Sequence, residues 1–246
     1  MATFLDGRDR PAFGLWCSSA DPLVAEVLAA SGPDYVCIDT QHGASHEGNL
    51  VSMCQAVTVG GAVPVVRVSE NRPALIMKAL DCGARGVIVP LIETAADAAA
   101  AVAACRYPPL GERSWGPFRA SLAKDMATRA GLEDVACVVM IETKKAVENL
   151  AEIVATDGLA GAYFGPSDLS LALGLEPASF DAPEFQEVLA AMIAECGKKG
   201  ISAGAHCYDG ATASKYSHDG FSMITLAVDM RLLRSAAAAE IGIAAS

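Results

Sequence analysis

The sequence has no uninterrupted apolar run long enough to span a bilayer and no charged-then-apolar leader at its N-terminus. It is also poor in basic residues, with 18 Lys and Arg against 29 Asp and Glu, so its formal net charge is −11. Nucleic acids and anionic membrane surfaces both require a basic face on their protein partner. These absences predict a cytoplasmic protein that binds neither nucleic acid nor a membrane.

Several catalytic and structural motifs are missing as well. The eight cysteines contain no C-x-x-C pair and lie within apolar stretches, which is typical of reduced core residues rather than of a zinc site or a disulfide framework. There is no G-x-S-x-G elbow, and no predicted strand ends on a lysine that could form an imine. Serine-nucleophile and Schiff-base chemistry are therefore poorly supported, and metal-assisted chemistry is favoured.

What the sequence does contain is a regular alternation of apolar strands and helical segments. The predicted strands are Ala12–Cys17, Tyr35–Ile38, Val63–Val68, Val87–Ile92, Cys137–Ile141, Ala160–Phe164, Ser202–His206 and Phe221–Ala227. Eight such units predict a single α/β domain over residues 1–246, a (β/α)8 TIM barrel. An open doubly wound sheet is the alternative, but the first strand–helix turn lacks G-x-G-x-x-G.

Two further local predictions concern the connections. The segment 106–117 interrupts the alternation, and a small helix is predicted from Leu122 to Ala130. Asp229 is predicted to cap the last helix.

Polar residues follow many of the predicted strands. In a (β/α)8 barrel the carboxyl ends of all strands meet at one face, where active sites are found. The residues at these ends are Trp16, Asp39, His42, Arg67, Pro90, Glu93, Glu142, Ser167, Asp168, His206 and Asp229. This concentration of ionisable groups predicts an active site.

Two carboxylates, Glu142 and Asp168, are the candidate metal ligands. Two carboxylates with open positions suit a hard divalent ion such as Mg²⁺ or Mn²⁺, completed by water and a chelating substrate. Alternatives remain at this stage: Glu142 could form a salt bridge with Lys144 or Lys145, and Asp168 or Ser167 could only cap a helix.

Arg67 and His42 are the candidate catalytic side chains. Arg67 could clamp a carboxylate or stabilise an enolate oxygen, or it could form a structural ion pair inside the barrel. His42 could transfer protons near neutral pH, with Asp39 or Asp81 orienting its ring, or it could be a hydrogen-bonded turn residue. His206 also ends a strand and is a weaker candidate.

The motifs resemble a known family. In order and spacing they are GLWCSS, DYVCIDTQHG, PVVRV, ALDCGARGVIVPLIET, RYPPLGERSWGP, VVMIET and GAYFGPSDLS. Together they resemble the HpcH/HpaI family of metal-dependent, class II pyruvate aldolases from about Phe13 to Asp229. The resemblance implies an enzyme that reversibly cleaves a 4-hydroxy-2-oxo acid into pyruvate or hydroxypyruvate and an aldehyde, through a metal-stabilised enolate.

The resemblance also implies roles for individual residues. Glu142 and Asp168 are implied as ligands of a divalent metal (Mg²⁺, Mn²⁺ or Co²⁺). The residues implied for substrate binding are Gly165, Pro166, Ser167, Asp168, Arg67 and Trp16. The substrate carboxylate is implied to bind backbone amides near Ser167 and Asp168. Those implied for catalysis are Arg67 on the keto or enolate oxygen and His42 with Asp39 and Asp81 in proton transfer. A homohexamer, a trimer of dimers, is implied as the assembly, and we expect the C-terminal helix to form oligomer contacts.

Two positions depart from the family pattern, and two alternative functions remain. Gln41 and Met140 stand where many relatives carry an acid and a glutamine, which affects donor or acceptor preference. A citrate-lyase-like or malyl-CoA-type lyase would need basic residues near the site for the CoA phosphates, and only Arg113 and Arg119 are candidates. The remote alternative is a non-catalytic barrel that binds a 2-oxo acid.

Overall fold

Eight apolar stretches form parallel strands, and the last pairs with the first to close a barrel. The strands are β1 (Ala12–Cys17), β2 (Tyr35–Asp39), β3 (Val63–Arg67), β4 (Gly86–Val89), β5 (Ala136–Met140), β6 (Gly161–Phe164), β7 (Ser202–His206) and β8 (Met223–Val228). This computed structural model describes residues 3–177 and 179–245, so residues 1, 2, 178 and 246 of the predicted domain lie outside the description. The closed order confirms the (β/α)8 barrel and excludes the open sheet.

Helices connect the strands on the outside of the barrel. They are α1 (Pro22–Ala30), α2 (Leu50–Val59), α3 (Pro73–Asp81), α4 (Ala95–Cys105), α5 (Arg129–Glu133), α6 (Lys144–Glu148), α7 (Leu150–Val154), α8 (Pro166–Ala172), α9 (Pro183–Lys199), α10 (Gly210–Asp219) and α11 (Asp229–Ala244). Four of them have proline in their first turn, where its missing N–H costs nothing and its fixed φ suits a helix. None of the helices in the described ranges is both long and apolar enough to cross a membrane.

Two of the predicted elements differ from the structure by more than two residues. Strand β4 ends at Val89 instead of Ile92, because Pro90 has no N–H to donate and Leu91 has a positive φ of 55°. The helix predicted from Leu122 to Ala130 is replaced by two 3-10 turns, Ala120–Leu122 and Lys124–Met126, followed by α5. The spacing of the apolar residues in this segment suits a helix, but the segment forms short 3-10 turns instead, which are common as connectors.

Asp229 is the first residue of α11 rather than its N-cap, which is Val228. Its carboxylate accepts hydrogen bonds from the backbone N–H groups of Ser18, Ser19 and Met230. Because Ser18 and Ser19 follow β1, Asp229 ties the loop after the first strand to the end of the last strand.

The barrel interior is filled by large side chains. Tyr35 and Tyr163 are fully buried, and both hydroxyl groups hydrogen-bond to Oγ1 of Thr225, at 3.0 and 2.7 Å. The two rings fit because Gly14 and Gly204 lie against them: a Cβ on either glycine would come within 2.3 Å of ring atoms. This packed interior leaves the two ends of the barrel, here called the carboxyl rim and the amino rim of the strands, as the places for cavities.

Helix α11 departs from the pattern, because Asp229 is its only buried residue. Leu233 and Ile241 on this helix are 65% and 69% exposed. On the outer face of β1 and β8, where an eighth helix would pack, Leu15 and Leu226 line an open cavity of about 290 Å³. The helix that follows β8 therefore does not fill this part of the barrel wall.

Candidate active site

A cavity of about 250 Å³ opens at the carboxyl rim. Among the residues that line it are the predicted site residues Trp16, His42, Arg67, Gly165, Pro166, Ser167 and Asp168. They come from β1, the loop after β2, β3 and the β6–α8 turn, which are distant in sequence. The barrel topology alone brings them together, because parallel strands end at the same face.

Asp39 and Arg67 form a buried ion pair at this rim. Nε and Nη2 of Arg67 donate to the two carboxylate oxygens of Asp39, at 2.9 and 2.6 Å. Trp16 Nε1 donates to the same carboxylate at 3.2 Å, and the guanidinium lies 4.9 Å from the centroid of the Trp16 ring. Burial works to raise the pKa of Asp39, but the hydrogen bonds and charge of Arg67 prevail and hold that pKa below its ordinary value.

This pair fixes the orientation of the Arg67 guanidinium. A bidentate contact and a stacked aromatic ring restrict a side chain that is otherwise long and flexible. Asp39 also accepts from the backbone N–H groups of Gln41 and His42, at 3.0 and 3.3 Å. Asp39 thus holds the turn that carries His42, but it contacts the backbone of that residue and not its ring.

The His42 imidazole is exposed at the edge of the cavity. Its ring has no hydrogen bond to any residue that the structure describes. Asp81, the second acid predicted to orient this ring, lies at the end of α3, which leads toward the amino rim. There it accepts from Nη2 of Arg113 at 2.9 Å, so one chain does not bring Asp81 to His42.

Both predicted metal ligands lie close to Gly165, near the point where a Cβ would stand. A Cβ on this glycine would be 3.0 Å from Oε2 of Glu142 and 4.0 Å from Oδ2 of Asp168, so only glycine leaves both carboxylates this space. Oε1 of Glu142 accepts from the backbone N–H of Leu91 at 2.8 Å. Lys145, predicted as a possible partner of Glu142, pairs instead with Glu93 at 3.3 Å.

Glu142 is electrostatically unfavourable as a carboxylate. It is only 3% exposed, and burial raises its pKa; the nearby charge of Asp168 raises it further, while the Leu91 N–H and Arg67 act in the opposite direction. Asp168 itself is exposed and accepts no hydrogen bond in residues 3–177 and 179–245. Because the two neighbouring carboxylates repel each other, a cation bound between them would be stabilised by both.

The residues fit a hard divalent ion with oxygen ligands. In the part of the chain that the structure describes, no group of three or more His, Cys, Asp and Glu could hold a metal. The protein would therefore supply Glu142 and Asp168, and water and substrate oxygens would supply the rest, an arrangement common for Mg²⁺. A structural zinc site, with four protein ligands, does not match.

The first turn of α8 adds an anion-binding element beside the carboxylates. Gly165 precedes the helix, Pro166 is its first residue, and Leu169 is the first to donate back, to the carbonyl of Gly165. The N–H groups of Ser167 and Asp168 therefore have no intrahelical acceptor. Such groups, at the positive end of the helix dipole, bind carboxylates and phosphates.

One polar lining residue, Tyr208, and one backbone contact, the Leu91 N–H, were not predicted from the sequence. Tyr208 donates to or accepts from Ser167 Oγ at 3.0 Å, but it lies two residues beyond the end of β7. His206, at the end of β7, lines the cavity, as its position at a strand end indicated. The Leu91 N–H on Glu142 depends on a backbone conformation that no sequence signal indicated.

The two departures from the family pattern also lie at the site. Met140 lines the cavity, and its Cε is 3.0 Å from the Cβ position of Gly165. The side-chain oxygen of Gln41 is buried, and no described residue donates a hydrogen bond to it. An apolar thioether therefore replaces a polar side chain next to the paired carboxylates.

Comparisons with known proteins agree on one family. Residues 12–236 match the family described as HpcH/HpaI aldolase/citrate lyase. The chain is 38% identical over 230 residues to a hydroxypyruvate/pyruvate aldolase of Rhizorhabdus wittichii, covering 93% of this chain and 92% of the relative. It is 36% identical over 227 residues to a 2-keto-3-deoxy-L-rhamnonate aldolase of Salmonella schwarzengrund, covering 91% and 85%.

A solved structure has the same fold. The crystal structure of an HpcH/HpaI aldolase/citrate lyase family protein from Burkholderia cenocepacia superposes with a TM-score of 0.90 at 31% identity, covering 98% of this chain and 97% of that one. Sequence and structure therefore point to the same family over nearly the whole chain.

Proposed function

Because this chain belongs to the HpcH/HpaI aldolase/citrate lyase family, we propose that it reversibly cleaves a 4-hydroxy-2-oxo acid into pyruvate or hydroxypyruvate and an aldehyde. It is an aldolase, a carbon–carbon lyase. The observation that carries the proposal is the pair of uncompensated carboxylates, Glu142 and Asp168, beside the oriented guanidinium of Arg67.

Substrate binding follows from charges on the site residues. The carboxylate of the 2-oxo acid would accept hydrogen bonds from the first-turn N–H groups of Ser167 and Asp168. Arg67 would donate to the keto oxygen and to the same oxygen when it carries the enolate charge. Because the Asp39 pair holds the guanidinium in place before the substrate binds, little reorganisation is needed as charge develops.

Glu142 and Asp168 would hold Mg²⁺, Mn²⁺ or Co²⁺, and the bound ion would act as a Lewis acid on the 2-oxo acid. His42 would remove the proton from the 4-hydroxyl group as the C3–C4 bond breaks and return it in the reverse direction. Its exposed ring, free of hydrogen bonds to described residues, is available to a substrate at the edge of the cavity.

We also propose that α11 packs against a second copy of the chain within a homohexamer. Leu233 and Ile241 are exposed on a helix that buries only its first residue, and the wall formed by Leu15 and Leu226 lacks a covering helix. Apolar patches of this kind mark interfaces. The double variant L233E/I241E should dissociate the assembly in sedimentation velocity; an unchanged mass would contradict this role.

The acyl-CoA lyase alternative gains little support. Arg113 is buried against Asp81, and the Arg119 guanidinium lies at Gly83, so both are near the end of α3 and away from the carboxyl rim. One exposed arginine, Arg231, lies near the cavity, 5.0 Å from the Tyr208 ring. A single exposed charge is a weak basis for binding the phosphates of CoA.

The proposal is tested by exchange of the C3 protons of pyruvate in D₂O, followed by NMR. We expect no exchange with the chelated protein and exchange after addition of Mg²⁺, Mn²⁺ or Co²⁺. D168N should remove exchange, and D157N, which changes an exposed acid elsewhere, should retain it. Metal-independent exchange, or none with any of these ions for pyruvate and hydroxypyruvate, would overturn the proposal.

A further inference from the structure

The last residue of β7, His206, is held in a wall of aromatic rings at the carboxyl-rim cavity. Its imidazole contacts the Trp16 ring edge-on, with centroids 5.0 Å apart and planes at 84°, and the Tyr208 ring at 5.6 Å and 76°. The residue is 9% exposed and lines the cavity. These contacts fix the plane of the imidazole while leaving it next to the space that a substrate would occupy.

Neither ring nitrogen of His206 is hydrogen bonded to a residue in the ranges 3–177 and 179–245. A polar group held at low exposure without a partner is costly unless a ligand or water satisfies it. The groups around it do not: Trp16 donates to Asp39, and Tyr208 pairs with Ser167. His206 is therefore a polar group in the cavity wall that the proposed aldolase mechanism does not use.

The imidazole is neutral over the pH range in which enzymes work. Burial, reinforced by the positive charge of Arg67, lowers its pKa to about 4, although Asp39 acts in the opposite direction. A neutral imidazole presents one N–H donor and one lone-pair acceptor. A hydroxyl group can both accept and donate, whereas a methyl group can do neither, so the ring distinguishes these two substituents.

His206 and Arg67 contact the same Trp16 ring, one edge-on and one with its guanidinium 4.9 Å from the centroid. Both side chains line the carboxyl-rim cavity, so a 2-oxo acid bound there through Arg67 would share the cavity with the His206 ring. We propose that His206 is a specificity-determining residue that hydrogen-bonds to a hydroxyl group on C3 of the 2-oxo acid, so that the site favours hydroxypyruvate over pyruvate. This inference rests on the proposed aldolase function.

The test compares kcat/KM for hydroxypyruvate and for pyruvate with one fixed aldehyde, in wild type, H206F and H206Q. In H206F the aromatic contacts are kept and the hydrogen bond is lost, so kcat/KM for hydroxypyruvate should fall about tenfold while that for pyruvate stays within about twofold. H206Q retains a donor and an acceptor and should restore part of the preference. H218F, at an exposed histidine on α10, is the matched control and should leave both values unchanged.

Two outcomes would overturn the inference while leaving the aldolase intact. One is a hydroxypyruvate-to-pyruvate ratio in H206F equal to that of wild type. The other is that kcat/KM of H206F depends on a hydroxyl group of the aldehyde and not on one of the 2-oxo acid. This is measured by comparing glycolaldehyde with acetaldehyde at fixed pyruvate. Failure of the aldolase proposal itself is separate, because wild-type protein would then show no metal-dependent C3 exchange. If H206F is unstable by thermal melting, H206Q and H206N carry the comparison.

Discussion

The two rims of the barrel both carry cavities with arginine and acidic side chains, but among the described residues only one rim has buried carboxylates without an ion-pair partner. The amino-rim cavity is the larger, about 890 Å³ against 250 Å³. Arg8 and Arg10 on its wall both pair with Asp34, and Arg106 donates to the carbonyls of Glu133 and Val135. These three arginines are therefore already paired within the fold.

At the carboxyl rim the balance is different. Glu142 is buried close to the charge of Asp168 and has no ion-pair partner among the described residues, and His206 has no hydrogen bond to those residues. Unsatisfied buried polar groups cost stability, so they persist where a ligand completes them. Unbalanced charge and hydrogen bonding therefore favour the carboxyl rim as the proposed site, although its cavity has the smaller volume.

The largest expected difference between the rims is in turnover. D168N should lower kcat measured with added metal by about a thousandfold, since several kcal/mol of transition-state stabilisation would depend on the ion that we propose this carboxylate holds. D34N at the other rim should leave kcat within about twofold. Aldol cleavage measured by coupled pyruvate detection checks both variants. Normal turnover in D168N would make the ligand assignment wrong.

A smaller loss is expected from R67K, which keeps the charge and removes the bidentate pair with Asp39. We expect kcat/KM to fall about a hundredfold, because an ammonium group cannot reproduce both hydrogen bonds or the stack on Trp16. R10K, a matched change at the exposed Asp34 pair, should be near neutral. Steady-state kinetics on both variants provides the measurement, and equal losses would remove the contrast between the rims.

Neutralising one carboxylate in metal-free protein should change Tm in opposite directions at the two rims. The pKa of Glu142 is raised in the folded protein, so ionisation of Glu142 destabilises the fold at pH values above this folded-state pKa. The cost disappears at pH values below the pKa of a glutamate in the unfolded chain. E142Q should therefore raise Tm at pH 7, by about 2–4 °C for each kcal/mol regained, with no gain near pH 3. The lowered pKa of Asp34 predicts the reverse, because its contribution is present at pH 7 and lost as pH falls below its unfolded value, so D34N should lower Tm.

Calorimetry with excess chelator, from pH 3 to 8, checks this pair of signs. Added Mn²⁺ should reduce or reverse the advantage of E142Q, because only the native carboxylate binds the ion. A decrease in Tm for chelated E142Q at pH 7 would contradict the electrostatic account of Glu142.

The smallest effect concerns two exposed leucines, one at each rim. Leu91 has φ of 55°, a conformation that glycine adopts without strain, and its N–H would be retained in L91G. L91G should therefore be neutral or stabilising by up to about 1 kcal/mol with unchanged kcat. L110G, at the amino-rim cavity and without a positive φ, should be destabilised by about 0.5–1 kcal/mol in urea unfolding.

The fold was predictable because strand periodicity and helix starts are local signals. Ser202–His206 matches its strand in full, and Asp21 caps α1 by accepting from the N–H of Leu23. The strand ends then located most of the candidate site, because the barrel topology carries polar residues to one rim. What could not be predicted depends on three-dimensional detail, such as the left-handed backbone of Leu91 and the pairing of Asp39 with Arg67 in preference to the ring of His42.

The place of Asp81 shows a second limit. Its role beside His42 was predicted from the residues and was also implied by the resemblance, whereas within one chain it lies at the end of a helix, paired with Arg113. A sequence motif fixes which residues occur together in the chain, but not which rim each one occupies. Segment 120–133 shows that the spacing of apolar residues also does not determine local turn geometry, because this segment forms 3-10 turns and α5 instead of the predicted helix.

Trp16 also gives the protein an optical signal at the site. The chain has two tryptophans, and they differ sharply in environment: Trp16 is 3% exposed beneath Arg67 and beside His206, whereas Trp115 is 63% exposed on a surface loop. Acrylamide should quench Trp115 first and leave a blue-shifted emission from Trp16. In W115F that emission becomes the only tryptophan fluorescence, so a 2-oxo acid entering the cavity can be followed by light alone, without turnover or a label.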